Sequence, residues 1–176
     1  MRRDTIICIP FFIFIAYLKN MTKIVVYTDG AARGNPGPGG YGIVMKSGQH
    51  RKELSEGFRK TTNNRMELLA VIIALEHLKF ENSDVEIYTD SKYVADAVEK
   101  GWVFSWEKVQ FKKKKNPDLW IRFLKVYRKH QVKFHWVKGH ANIPENERCD
   151  QLAVIASKKS NLLIDAEYEN SEDSLF

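Results

Sequence analysis

Two short apolar runs, each ending in Tyr-Thr-Asp, constrain the fold most strongly. They are "KIVVYTD" at 23–29 and "VEIYTD" at 85–90. Both runs are too short for ordinary helices and are rich in residues that favour strands, which is typical of buried strands. If the two strands lie parallel in one sheet, their carboxyl ends meet at one edge, where substrates bind in α/β sheets. The repeated tripeptide therefore predicts that Asp29 and Asp90 lie side by side.

The remaining hydrophobic runs predict a mixed sheet covered by helices. Further strands are predicted at 40–46, 50–58 and 132–138, and helices at 63–80, 91–100, 119–130 and 144–159. The opening hairpins imply antiparallel strands, and the later strand-helix-strand units imply parallel strands. We therefore predict an α/β fold with a mixed five-stranded sheet, three antiparallel strands and then two parallel ones, flanked by helices.

The glycine-rich segment "YTDGAARGNPGPGGYG" at 27–42 has three candidate roles: a phosphate-binding loop, a flexible linker or a tight connection. A Walker A loop would contain a Lys-Ser or Lys-Thr pair after the glycines, and none follows. A dinucleotide-binding turn would lead into a helix, whereas this segment leads into a strand. Apolar strands on both sides argue against a linker. We expect a tight connection that brings the backbone close to a bulky group, with Asp29 at its mouth.

The composition fits one packed domain with an anionic partner. The chain has 176 residues, of which 44% are hydrophobic and 12% aromatic, and a net charge of +6. That charge favours nucleic acid or a membrane surface as a partner. The two cysteines, Cys8 and Cys149, form no C-x-x-C motif. Neither a disulfide framework nor a cysteine zinc site is therefore indicated.

The two ends of the chain differ from the middle. Residues 1–20 contain an apolar stretch shorter than a membrane-spanning helix, and Met21 directly precedes the first strand. One interpretation is an over-extended reading frame that starts properly at Met21; the other is a hydrophobic leader or membrane anchor. We expect the folded domain to occupy 21–160. Residues 161–176 are polar and acidic, and we expect them to be frayed.

Four carboxylates form the strongest candidate site: Asp29, Glu67, Asp90 and Asp150. Each has a structural alternative: Asp29 opens a turn, Glu67 belongs to a capping box, Asp90 caps the next helix and Asp150 is solvated. Together these alternatives weaken, because two of the acids end neighbouring strands. Clustered carboxylates repel each other unless a cation lies among them. Oxygen ligands of this kind favour Mg²⁺, with Mn²⁺ as a possible substitute.

The chain from Met21 to about Lys159 resembles type 1 ribonuclease H. The matching segments are "YTDGAARGNPGPGGYG", "TTNNRMEL", "YTDSKYV", "NPDLW" and "WVKGHANIPENERCDQLA". The resemblance implies the ribonuclease H-like fold and a metal-dependent endonuclease that cuts the RNA strand of RNA–DNA hybrids. It makes the four acids metal ligands and catalytic residues, and His140 in "KGH" a mobile catalytic histidine. Two Mg²⁺ ions about 4 Å apart would serve phosphodiester cleavage without a covalent nucleophile, leaving 3′-hydroxyl and 5′-phosphate ends.

The resemblance also implies how each strand of the hybrid is recognised. Only the RNA strand carries a 2′-hydroxyl. The RNA side is assigned the backbone amides from Gly30 to Arg33, with Asn35, Asn63 and Glu67. The DNA side is assigned Asn64 and a phosphate pocket of Thr62, Arg65 and Asn116. Lys92 is a departure, because many relatives have glutamine after "TDS", and its hydrogen-bonding role differs accordingly.

The segment from Trp102 to Asn116 matches the basic protrusion of the family, which grips the hybrid. Trp102 and Trp106 are expected to stack on sugars or bases, and the lysines from Lys112 to Lys115, Lys113 among them, to meet phosphates. The alternative is a solvated lysine run. Glu107 interrupts the basic character.

Two other classes stay open at this point. One is a hybrid-binding module with an inactive site, and the other is the ribonuclease H domain of a reverse transcriptase. The presence of all four acids argues against the first, and the lack of a polymerase body in this chain argues against the second. We expect a cytoplasmic monomer without a stable protein partner, and membrane association only if residues 1–20 are retained.

Overall fold

The structure, a computed structural model, describes residues 23–173, so the predicted N-terminal extension at 1–20 lies outside it. In chain order the elements are β1 Ile24–Ala32, β2 Gly37–Ser47, β3 His50–Thr61, α1 Asn63–Glu76, β4 Asp84–Thr89, α2 Lys92–Glu99, α3 Trp102–Lys108, α4 Pro117–Tyr127, β5 Gln131–Trp136, α5 Pro144–Ala156 and α6 Ala166–Asp173.

The five strands form one mixed sheet in the order β3-β2-β1-β4-β5. β1, β2 and β3 pair antiparallel, while β4 pairs parallel with β1 and with β5. In the register of β1 and β4, Thr28 lies opposite Thr89. The predicted fold class is confirmed. Asp29 and Asp90, the next residue of each run, therefore leave the sheet at the same edge.

Helices cover both faces of the sheet. Val26 and Ile43 belong to the main core with α1, whereas Tyr27 and Val44 pack with Cys149 and Leu152 of α5. Because successive residues of a strand point to opposite faces, α1 and α5 lie on opposite faces of the sheet. One helix packs on each face of the sheet, and each carries one of the predicted acids: Glu67 on α1 and Asp150 on α5.

Most of the glycine-rich segment forms strand rather than loop. β1 continues to Ala32 and β2 begins at Gly37, which leaves a turn of only four residues at 33–36. The bulky group that the glycines approach is protein. A Cβ at Gly42 would overlap the carbonyl oxygen of Cys149. The missing side chain therefore lets α5, and Asp150 with it, lie close to the sheet.

The C-terminal segment is ordered, and the expectation of a frayed tail is wrong over 161–173. The Leu163 amide donates to the Gly57 carbonyl at 2.8 Å, and the Arg59 amide donates to the Leu163 carbonyl at 2.9 Å. These bonds cover the outer edge of β3, and the helix α6 follows. The reason is a long-range ion pair described below, which no local sequence pattern reveals.

Several predicted boundaries shift by a few residues. The first helix ends at Glu76 rather than at 80, with His77 as its C-cap, and turn residues follow up to Asn82, which has φ 63°. The basic segment that follows Gly101 begins with the short helix α3. Among residues 23–173, no helix has the length and apolar character needed to cross a membrane.

Candidate active site

The four predicted carboxylates come from four different elements that meet at one edge of the sheet. Asp29 lies in β1, Asp90 follows β4, Glu67 lies in α1 and Asp150 lies in α5. The negative charges of Asp90, Asp150 and Glu67 all raise the pKa of Asp29, so the four acids lie near one another, although within residues 23–173 no three of these side chains stand together as a ready-made metal site. The sequence-based expectation of a cluster therefore has a geometric basis in the fold.

Glu67 is held close to Asp29 by backbone packing and by two side-chain donors. A Cβ at Gly30 would overlap the amide nitrogen of Glu67, so only glycine lets β1 and α1 approach this closely. Asn63 Nδ2 donates to Glu67 Oε1 at 2.8 Å, and Ser91 Oγ donates to Oε2 at 2.5 Å. Both carboxylate oxygens of Glu67 are thereby oriented.

Burial and mutual repulsion disfavour the charged form of two of the acids. Burial first, and then the charge of Asp90, raise the pKa of Asp29 to about 8, although the Gly30 amide donates to its Oδ1 at 2.7 Å. Burial, followed by the charge of Asp90, raises the pKa of Glu67 to about 7 against the hydrogen bonds from Ser91 and Asn63. A cation among these groups would offset the repulsion.

The structural alternatives for Asp29, Glu67 and Asp90 do not match the structure. The N-cap of α1 is Thr62, which places Glu67 two residues beyond the capping-box position. The N-cap of α2 is Ser91, whose hydroxyl accepts from the Val94 amide, so Asp90 is not the cap. Asp29 lies inside β1 rather than in a turn.

His140 lies on the loop between β5 and α5, beside the cluster. Its side chain is 80% exposed, and its Nδ1 is 3.8 Å from Glu147 Oε2. The preceding residue, Gly139, lies so close to Asp90 that a Cβ there would be 2.7 Å from Oδ2. The loop backbone therefore lies against Asp90, and the next residue carries an exposed imidazole.

A cavity of about 530 Å³ collects most of the residues predicted to contact the hybrid near α1. Its lining includes Asn35, Thr62, Asn64, Arg65 and Asn116. Asn63 lies at the same helix end, where its amide donates to Asn35 Oδ1 at 3.2 Å. This end of the helix presents amide groups and partial positive charge, which suits an anion.

The predicted backbone contacts from Gly30 to Arg33 are already partly engaged. The Gly30 amide donates to Asp29, and the Arg33 amide donates to the Pro38 carbonyl at 2.7 Å. Gly30 contributes to the site mainly through its close packing on α1.

Arg65 supports the wall of the cavity rather than projecting into it. It is only 3% exposed, and its guanidinium donates bidentately to Asp118 at 2.9 and 2.7 Å and to Asp165 at 2.7 and 2.7 Å. Burial opposes its charge, but these two carboxylates raise the pKa of Arg65. Its Nη1 also lies 3.4 Å from Asn116 Oδ1. Arg65 thus has a structural role in the cavity wall, where two carboxylates already engage its guanidinium, and its phosphate contact stays a prediction.

The predicted protrusion residues separate into exposed and packed groups. Trp102 is 45% exposed with Lys100 Nζ 4.9 Å from its ring centroid, and Lys113 is exposed. Trp106 is instead partly buried against the hydrophobic core, and its ring packs edge-on against Trp120 with the ring centroids 5.6 Å apart. This packing leaves less of the ring available for the predicted stacking. The charge of Glu107 is matched by two hydrogen bonds from Arg128, at 2.9 and 2.6 Å.

Lys92 and Asp90 are connected by Trp136, which contacts both residues. Its Nζ is 4.7 Å from the ring centroid of Trp136, and Trp136 Nε1 donates to the Asp90 carbonyl at 2.9 Å. The ammonium is thus placed by a cation–π contact at the edge of the carboxylate cluster.

The sequence did not point to Ser91, Trp136, Asn146 or Glu147, which all contact the site. Ser91 follows the second Tyr-Thr-Asp directly, so its adjacency was a usable signal. Asn146 lies four residues before Asp150, the spacing of one helical turn, and could have been found by that spacing.

Comparisons with known proteins decide the family. The family model for RNase H matches residues 21–158. The chain belongs to the RNase H family. It is 60% identical over 151 residues to a ribonuclease H of Desulforamulus reducens, covering 83% of this chain and 94% of that protein. It is 51% identical over 149 residues to ribonuclease HI of Synechocystis sp., covering 81% and 92%.

Solved structures agree with this RNase H assignment. LC9-RNase H1, a type 1 RNase H with the type 2 active-site motif, has 31% identity and a TM-score of 0.71, covering 86% of this chain and 81% of that one. LC11-RNase H1, solved in complex with RNA/DNA hybrid, has 30% identity and a TM-score of 0.58, covering 76% and 95%. Together these relatives support a type 1 RNase H. Membership implies a hydrolase that cleaves RNA endonucleolytically in RNA–DNA hybrids.

The carboxylate cluster of this RNase H fits the divalent metal dependence that is general in the family. The donors are all carboxylate oxygens, which suit a hard cation such as Mg²⁺ or Mn²⁺. Burial is the main reason that the pKa values of Asp29 and Glu67 are raised, and the charge of Asp90 adds to it; a divalent cation would offset both effects.

Proposed function

We propose that this protein hydrolyses the RNA strand of RNA–DNA hybrids by two-metal-ion phosphodiester cleavage and leaves 3′-hydroxyl and 5′-phosphate ends. The observation that carries the proposal is the convergence of Asp29, Glu67, Asp90 and Asp150 at one edge of the sheet. When bound, two Mg²⁺ ions supply the activation of a water nucleophile and the stabilisation of the leaving 3′ oxygen. The four carboxylates are the residues that would hold them.

The other residues of the site orient the acids or move protons. Asn63 and Ser91 fix the two oxygens of Glu67, and Trp136 fixes the backbone of Asp90. His140, exposed on its loop beside Asp90, transfers a proton or assists product release. Glu147 lies 3.8 Å from its Nδ1 and can pair with the imidazole when it is protonated.

Strand selection follows from the position of the cavity at the start of α1. We assign the RNA strand to the side of Gly30, Asn35 and Asn63, where amides can recognise the 2′-hydroxyl. We assign a DNA phosphate to the cavity lined by Thr62, Asn64 and Asn116, with Lys115 as its ammonium group. Arg65 holds Asn116 in place from behind.

The protrusion supplies sequence-independent affinity. Lys112 to Lys115 are exposed and meet phosphates, Trp102 stacks on a sugar or base, and Lys92 contacts the backbone near the site of cleavage.

We propose that the enzyme acts as a cytoplasmic monomer on this substrate alone. The catalytic unit begins near residue 21 and includes the segment that ends in α6.

The test is cleavage of end-labelled duplexes of one sequence. The protein is incubated with RNA–DNA hybrid, RNA duplex and DNA duplex, with Mg²⁺ or with chelator, and Asp29→Asn serves as the inactive control. We expect cleavage of the hybrid RNA strand alone, only with Mg²⁺. Product ends are identified by ligation, which requires 5′-phosphate and 3′-hydroxyl groups. Cleavage of double-stranded RNA at the same rate, or of hybrid in chelator, contradicts the proposal.

A further inference from the structure

Asn146 is a buried amide beside Asp90, on the helix that carries Asp150. It is the third residue of α5 and lies one helical turn before Asp150. Its side chain is 3% exposed, and its Nδ2 lies 3.5 Å from Asp90 Oδ2. The same amide group therefore sits beside the carboxylate that ends β4 and on the helix that carries the last acid.

The other polar atom of this amide is buried without a donor. No hydrogen-bond donor within the described part of the chain reaches Asn146 Oδ1. A buried acceptor without a partner is unfavourable, and in native proteins such an atom is explained by strain, by a functional role or by a bound water or ion. The ionised carboxylates next to it are acceptors only, so they cannot supply the missing proton.

The hydration shell of a divalent cation supplies such donors. Cations of this class keep several water molecules when carboxylates bind them, and residues around the ligands orient both ligands and water. The Asn146 amide can serve in both ways: its nitrogen lies beside Asp90, a ligand, and its oxygen, in the same amide group, is free to accept a hydrogen bond from a metal-bound water. The chemistry of Asn146 thus complements a hydrated cation rather than another protein group.

We propose that Asn146 is a positioning residue for the metal site: its Nδ2 orients Asp90, and its Oδ1 accepts a hydrogen bond from the hydration shell of the cation that Asp90 and Asp150 hold. The inference rests on the proposed function for the presence of that cation. It assigns to Asn146 a role in metal affinity, not in contact with the nucleic acid.

The test measures metal binding without nucleic acid. Asn146→Leu and Asn146→Ala are titrated with MgCl₂ and MnCl₂ by calorimetry, alongside the wild type. Ser157→Ala is the matched control, because Ser157 is also a buried polar residue of the same helix region but donates to the Val154 carbonyl, far along the helix from Asp150. We expect both Asn146 variants to bind Mg²⁺ about tenfold more weakly or worse, and the control to bind as the wild type does.

Stability and kinetics separate this role from a structural one. Asn146→Leu removes an unpaired buried acceptor, so its Tm in chelator should equal or exceed that of the wild type. With hybrid, kcat at low Mg²⁺ should fall, recover at high Mg²⁺ and leave KM for the hybrid unchanged. Unchanged Mg²⁺ affinity in both variants, with lower Tm in chelator, overturns the inference. A wild type that binds Mg²⁺ but does not cleave hybrid would contradict the proposed function. The inference about Asn146 would still be decided by whether its variants bind Mg²⁺ about tenfold more weakly than the wild type.

Discussion

Asp165 and Arg65, which are 100 residues apart in the chain, form a buried bidentate ion pair in which Nε and Nη2 of the arginine donate to the two carboxylate oxygens. Asp165 also accepts from the hydroxyl of Thr61 at 2.7 Å. The C-terminal segment is thereby fastened to the residue that supports the cavity at the start of α1. The stability of the fold and the shape of the cavity at the start of α1 therefore depend on the same guanidinium.

We expect Asp165→Ala to destabilise the protein by about 3 kcal/mol, because it leaves part of a buried charge unmatched. Urea denaturation measures the change. The control is Glu169→Gln, which breaks the exposed pair with Arg59 and should cost under about 1 kcal/mol. At temperatures where both variants are folded, kcat should stay close to that of the wild type. An Asp165→Ala protein as stable as the control would show that the buried pair contributes little.

Gly30→Ala should disrupt catalysis more than stability alone explains. The added Cβ overlaps the backbone of Met66 and Glu67, so α1 must move away from β1 and take Glu67 with it. We expect a loss of about 1–3 kcal/mol in the free energy of unfolding and a fall in kcat of at least tenfold.

Gly48→Ala is the matched control for Gly30→Ala. Gly48 has φ 56° and no atom within 4 Å of an added Cβ. Alanine there is strained by its backbone conformation and should cost about 1 kcal/mol while leaving kcat unchanged. Equal activity of the two variants at temperatures where both are folded would contradict the role assigned to Gly30.

The sequence predicted the parts of this fold that depend on local pattern. Five strands, their directions and the meeting of Asp29 with Asp90 follow from hydrophobic runs and from the repeated tripeptide. The tight connection predicted at 27–42 is confined to the turn at 33–36, and the predicted close approach of the backbone occurs within the strands, where Gly30 packs on α1 and Gly42 on α5. The long-range pair of Arg65 and Asp165 was missed, since nothing near either residue indicates a partner 100 residues away.

The exposed lysines of the protrusion should control affinity and its salt dependence. Replacing Lys112 to Lys115 with glutamine should weaken hybrid binding and reduce the slope of log K against log salt by about 0.7–0.9 for each phosphate that the protein no longer neutralises. Lys79→Gln is the single-charge control for Lys113→Gln, since Lys79 follows the opposite end of α1 from the cavity. Fluorescence anisotropy over a salt series measures both. Equal slopes for Lys113→Gln and Lys79→Gln would indicate a solvated lysine run; kcat at saturating hybrid should change little.

Stability without metal should fall as pH rises. The unfolded chain releases the Asp29 proton near the ordinary pKa of 3.8, whereas the folded protein holds it until about 8. Glu67 behaves in the same sense, with a folded pKa of about 7. Between the unfolded and folded pKa values, the folded protein therefore binds more protons than the unfolded chain. The contribution of these protons to stability is lost as pH rises through the folded pKa values. The gain in Tm on adding Mg²⁺ should accordingly increase from pH 5 to pH 8. A Mg²⁺ effect independent of pH would contradict the coupling.

Asp29→Asn separates the metal-site role of Asp29 from a structural one. The change keeps the size of the side chain and an acceptor for the Gly30 amide, but it removes one negative charge from the cluster. Cleavage of hybrid should be nearly abolished, because a metal ligand is lost. In chelator at pH 8 the variant should be more stable than the wild type by at least about 1 kcal/mol, since one pKa unit corresponds to about 1.4 kcal/mol. At pH 4 the two proteins should be equally stable, because the wild-type carboxyl is then protonated in the folded state. Thermal melts at both pH values and one cleavage assay distinguish the two roles. A variant that is active and destabilised at pH 8 would mean that Asp29 has a structural role in β1 and is not a metal ligand.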